Sequence, residues 1–70
     1  MASQLQLAFG EAVRARRDEL GMTQAALARA LKTTQSTISD VENGCNAPTL
    51  ETVERFAKVL KTTAAKLIDS

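Results

Sequence analysis

Histidine is absent from this chain, as are tryptophan and tyrosine, and there is a single cysteine, Cys45. Each gap removes a class of function. One cysteine forbids an internal disulfide framework, and without histidine no Cys/His zinc site can be assembled. The commonest general acid–base group is missing too, which disfavours an enzyme. Gly10, Gly21 and Gly44 are too scattered for a phosphate-cradling loop. Charge of one sign is scarce as well: nine basic and eight acidic residues leave a formal net charge of +1. That excludes a polybasic or acidic tail but not nucleic-acid binding, which depends on where the charges sit. No apolar run is long enough for a transmembrane helix. The start, Met1-Ala2-Ser3-Gln4, has neither the charged opening nor the apolar stretch of a secretion signal, so a cytoplasmic location is expected.

What remains is a helix-forming composition. Of the 70 residues 44% are hydrophobic, and twelve of these are alanines. A β-sandwich would want more aromatic and β-branched residues. The length suits one small domain over residues 1–70, and a core of this size must be packed well or completed by a partner chain.

The spacing of apolar residues predicts five helices. Leu5, Phe9, Val13 and Arg17 recur every four residues, beside Ala8 and Ala12. They predict a helix from about Ser3 to Glu19, stopped by Gly21. Gly10 sits inside that helix at a cost of about 1 kcal/mol relative to alanine, a cost a close helix contact would explain. Thr23 reads as the N-cap of a short helix from Gln24 to Leu31, and Thr34 as the cap of a third, Gln35 to about Asn43, ended by Gly44. Pro48 makes Cys45–Pro48 a loop. Thr49 caps a fourth helix, Leu50 to Leu60, expected to bury Leu50, Val53, Phe56, Ala57 and Leu60. A fifth runs from Ala64 to about Ile68. The tetrapeptide Leu31-Lys32-Thr33-Thr34 returns as Leu60-Lys61-Thr62-Thr63, each copy ending one helix and capping the next. Both lysines are expected to take the left-handed conformation that glycine adopts more cheaply.

Residues 24–43 carry the functional signal. Two short helices meet across a tight turn, with Ala28 small at the crossing and Leu27, Leu31, Ile38 and Val41 inward. This is a helix-turn-helix, whose second helix fits the major groove of DNA. The outward residues of that helix are Gln35, Ser36, Thr37, Ser39 and Asp40. Glutamine can pair bidentately with adenine, serine and threonine serve any base, and aspartate accepts from cytosine.

The segments Leu20-Gly21-Met22-Thr23-Gln24-Ala25-Ala26-Leu27-Ala28, Thr33-Thr34-Gln35-Ser36-Thr37-Ile38-Ser39, Glu42-Asn43-Gly44 and Pro48-Thr49-Leu50-Glu51-Thr52 resemble the Cro/phage-repressor (XRE) type of helix-turn-helix domain. The likeness extends over about Leu5 to Ile68. It implies an all-α, five-helix, lambda-repressor-like domain acting as a homodimer on palindromic double-stranded DNA, without a cofactor. It further implies base reading by Gln35, Ser36, Thr37, Ser39 and Asp40. Phosphate contacts would come from Thr23, Gln24 and Asn43, with Arg14 added from the basic cluster on the first helix. Arg17 and Glu42 match a salt bridge that joins the first and third helices in relatives. Val59, Ala65, Leu67 and Ile68 supply spare apolar surface near the C-terminus, expected to form the dimer contact. The chain departs from the family pattern at Lys32 and Lys61, where glycine is usual, and at Cys45 and Asn46, where relatives often carry cations. The leading expectation is a sequence-specific transcriptional regulator, most simply a repressor. The alternatives are an antitoxin or restriction–modification controller, or a helix-turn-helix module that binds a protein partner.

Overall fold

A computed structural model describes residues 3–68. Its helices are α1 (Gln4–Glu19), α2 (Gln24–Ala30), α3 (Gln35–Glu42), α4 (Leu50–Val59) and α5 (Ala64–Ile68). Every predicted helix is present, with bounds displaced by at most one residue.

Those bounds follow from one device used repeatedly. Ser3 opens α1 with a capping box, its hydroxyl accepting from the Gln6 N–H while the Gln6 side chain accepts from the Ser3 N–H. Thr23, Thr34 and Thr49 cap α2, α3 and α4, each accepting from the backbone N–H three residues on. The Thr63 hydroxyl does the same for Lys66. Such caps contribute about 1 kcal/mol each. The carboxyl ends of the first four helices are alike as well. Backbone bonds from Met22 to Arg17, Thr33 to Ala28, Cys45 to Asp40 and Thr62 to Ala57 close a Schellman motif at each. The left-handed residue these motifs need is Gly21, Lys32, Gly44 and Lys61 in turn. Lys32 has φ 58° and Lys61 φ 55°. A side chain there costs about 1–2 kcal/mol relative to a right-handed position.

The core is apolar throughout. Phe9, Val13, Leu27, Ile38, Leu60 and Leu67 are essentially inaccessible. Phe9 meets Phe56 edge to face, with ring centroids 5.5 Å apart. Helix α1 packs against α3 and α5, α2 against α3, and α4 against α5.

Gly10 lies where α1 crosses α3. A Cβ there would overlap the carbonyl oxygen of Val41 and stand 2.8 Å from that of Glu42. The close contact is therefore with backbone, which cannot move aside as a side chain could. Its function is to bring the last turn of α3 against α1.

Two expectations about burial fail. Leu50 is 66% exposed, although the period of α4 suggested a core position. It is the first helical residue, and there it overhangs the end of the core. Together with Leu5, itself 54% exposed, and Ile68 it edges a groove of about 200 Å³ floored by Phe9 and Val53. Leu67, expected in a dimer contact, is 2% exposed. The five-residue α5 turns Leu67 inward against this chain's own core, so it is unavailable to a second copy.

Candidate nucleic-acid interface

Helix α3 presents two faces. Ile38 and Val41 are buried against the core. Gln35, Ser36, Asp40 and Asn43 are exposed, and Ser39 is half-buried beside them. This outward strip is a set of short donors and acceptors without a large apolar side chain. Thr37 stands apart. It is half-buried, with its hydroxyl 2.9 Å from that of Thr34, and it lines a groove with Thr52, Arg55 and Phe56. It is the residue that the Thr34 cap engages, at the edge of the strip. The Asn43 amide approaches the Ser39 hydroxyl at 3.5 Å, too long to hold either side chain.

The strip is held by a buried charge cluster. Arg17 on α1 donates from Nε to Glu42 Oε2 at 2.7 Å and from Nη2 to Glu42 Oε1 at 3.1 Å. Its Nη1 donates to the Met22 carbonyl at 2.8 Å. The two side chains are 12% and 4% exposed. Burial opposes the charge of Glu42, but hydrogen bonds from Arg17 and Gln24 and the positive field of Arg17 and Arg14 outweigh it. The carboxyl pKa therefore lies below its ordinary value. The same hydrogen bond to Glu42 holds the Arg17 pKa above its ordinary value against desolvation. With both guanidinium edges engaged, Arg17 fixes the end of α3 relative to α1 and to the turn before α2.

Gln24 has a different environment from that expected of a free phosphate donor. It is half-buried, and its amide nitrogen donates to Glu42 Oε1 at 3.0 Å. The side chain is spent inside the cluster, and what α2 offers outward is the backbone at its amino end. The Thr23 hydroxyl likewise accepts from Ala26 N–H at 3.0 Å. Arg14 is exposed.

Sequence reasoning missed two other arginines. Arg16 donates to the carbonyls of Leu60 and Lys61, at 2.8 and 3.0 Å, tying α1 to the end of α4. Arg55 on α4 donates to the Leu31 carbonyl at 3.1 Å, closing the end of α2. Both satisfy orphan carbonyls at helix ends, and both partners are distant in sequence, so no local pattern announces them. Cys45 is free and exposed. Among the described residues no cluster of acidic or cysteine side chains could hold a metal ion, and no helix is long and apolar enough to cross a membrane.

Two short helices crossing over small residues, with a polar strip on the second, define a helix-turn-helix. A helix-turn-helix family model matches residues 13–67, and the chain belongs to that family, of the Cro/phage-repressor type. Solved structures agree. The clp gene regulator ClgR from C. glutamicum aligns over 99% of this chain and 88% of its own, at 25% identity and TM-score 0.90. The hypothetical transcription factor NHTF from Neisseria aligns over 93% and 75%, at 26% identity and TM-score 0.87. Hydroxypropylphosphonic acid epoxidase from S. wedmorenis is similar at 35% identity and TM-score 0.87, over 91% of this chain. The chain spans about a third of that epoxidase's length. No curated protein matches the sequence.

Proposed function

We propose that the protein is a transcriptional regulator that binds double-stranded DNA sequence-specifically, with α3 in the major groove. The observation that carries this reading is the outward strip of α3. Its side chains are unencumbered and of base-reading type, while Glu42 behind them is rigidly held by Arg17. Gln35 and Ser36 lead into the groove, with Ser39 and Asp40 further along. The amino end of α2, with Thr23 and Gln24, and Asn43 at the end of α3 lie against phosphates. The regulator acts as a homodimer on a palindromic site, with recognition helices about 34 Å apart. Ala65 and Ile68 are exposed and form the α5 part of the dimer contact, and half-buried Val59 adds its remaining surface. Repression by occlusion of a promoter requires nothing further of the chain. The reading is of a cytoplasmic protein that needs no cofactor and is not itself an enzyme.

Gln35→Ala tests base reading. On a selected site it is expected to cost about 1–3 kcal/mol of binding free energy, and much less on scrambled DNA. Equal losses on both, in titrations at one salt concentration, would make Gln35 a positioning residue.

A second reading has its own support. The same helical unit forms about a third of an epoxidase chain, and the Gln24 amide is occupied by Glu42 rather than free. The occupied Gln24 amide and the cation-free loop after α3 favour a helix-turn-helix that docks on protein. An antitoxin or restriction–modification controller would combine that with DNA binding.

A further inference from the structure

The proposed DNA contact leaves one problem of charge. The loop after α3, with Cys45, Asn46 and Ala47, has no cation, and the carboxyl half of α3 carries Asp40 and Glu42. The neutral donors, the backbone N–H groups at the amino end of α2 and the Asn43 amide, give little attraction to phosphate. The cations lie elsewhere. Lys32, in the turn leading into α3, and Arg55 and Lys58, on α4, line one groove of about 320 Å³ with Ala30, Leu31 and Val59. Arg55 also lines the adjoining groove of about 190 Å³, with Thr33 and Thr37. Among the described residues no acidic side chain lines either groove. Among the described residues Lys32, Arg55 and Lys58 take part in no ion pair, and all three are exposed.

The geometry is directional. Gln24 and Asn43 sit at the carboxyl end of α3, where Gln24 bonds to Glu42. Lys32 and the Thr33–Thr37 groove sit at its amino end. That end already carries the positive pole of the helix and N–H groups without intrahelical partners. The Arg55 guanidinium is anchored by its bond from Nη2 to the Leu31 carbonyl, and among the described residues Nη1 and Nε have no partner. An anchored guanidinium loses less side-chain freedom on meeting an anion than a free one.

We propose that Lys32, Arg55 and Lys58, with the threonine hydroxyls beside them, form a second phosphate-binding wall that receives the DNA backbone at the amino end of α3. This rests on the DNA-binding reading above and adds to it where the affinity comes from. The major groove has a phosphate backbone on each side. The neutral donors serve one side and this cationic wall the other. The domain therefore approaches DNA amino end of α3 first, with Asp40 held away from the nearest phosphates.

The test is the salt dependence of binding by the full chain, on a duplex bearing the selected site and on a scrambled duplex of equal length. Each phosphate contact contributes about 0.9 to the slope of log K against log salt. Arg55→Ala, Lys58→Ala and Lys32→Gly are each expected to lower the slope by about that amount on both duplexes, leaving the ratio between them unchanged. Lys61→Gly relieves the same left-handed strain outside the grooves and is expected to leave the slope as it was. Among the described residues the Lys58 side chain makes no hydrogen bond, so its substitution separates charge from stability. Wild-type slopes retained by all three variants, with wild-type site preference intact, would overturn the wall and leave the DNA reading standing. A wild-type chain that binds neither duplex at low salt would overturn both.

Discussion

Glu42→Ala should be the most damaging single substitution outside the apolar core, costing about 3–5 kcal/mol. Removal of the carboxylate leaves the Arg17 guanidinium charged, only 12% exposed and without its principal partner, and leaves the Gln24 amide unpaired. Small domains fold with a margin of only about 5–15 kcal/mol, so a loss of this size is a large fraction of the whole. The thermal midpoint should fall by more than about 10 °C. The double variant Arg17→Met with Glu42→Leu should lose much less, because no charge is then stranded. Acid should erase the gap. The folded-state pKa of Glu42 lies below its ordinary value. Its contribution is therefore complete above the unfolded-state pKa and disappears as pH falls through the folded-state one. Wild type and Glu42→Ala should differ most near neutrality and converge below the ordinary carboxylate range. A gap that persists unchanged in acid would show that the carboxylate's charge is not what stabilises the fold.

Gly10→Ala should destabilise the protein by about 1–3 kcal/mol, the reverse of the usual effect of replacing a mid-helix glycine. Alanine favours a helix by about 0.5–1 kcal/mol over glycine. Here its methyl group would strike the carbonyls of Val41 and Glu42, the first of which is held by the Gly44 N–H in the turn that ends α3. Relief requires α3 to move off α1, which also stretches the Arg17–Glu42 pair. Urea unfolding of the variant measures both effects together. A stabilised Gly10→Ala would mean that the two helices have room to separate at no cost.

The two predictions concern features that differ in how well they can be read from sequence. Helix ends were legible because their causes are local. A threonine three residues before the N–H it caps, and a lysine or glycine one place beyond the last turn, act within a span of six residues. The Arg17–Glu42 pairing came from family resemblance, since nothing nearer than 25 residues links the two side chains. Gly10 was visible as an anomaly, but the backbone it accommodates lies on another helix.

The failures share one cause. Leu50 and Leu67 lie at the start of α4 and near the end of α5, where a helical period does not say whether a neighbour extends far enough to cover them. Leu50 overhangs its neighbours and Leu67 is covered. The place of Gln24 at the start of α2 predicts a phosphate contact but cannot show that Glu42 claims its amide. Arg55 went unnoticed because its partner, the Leu31 carbonyl, belongs to the backbone and carries no sequence signal. In this fold α3's exposed strip is readable from a single sequence, whereas the contacts of Gln24 and Arg55 beside it are not.

Base-specific recognition by α3 is tested by selecting bound duplexes from a randomised pool with the wild-type protein at low salt. A short palindromic sequence should be enriched, with the preference lost at one position of each half-site in Gln35→Ala. A pool that stays random after repeated rounds, from a folded protein, would contradict base-specific recognition.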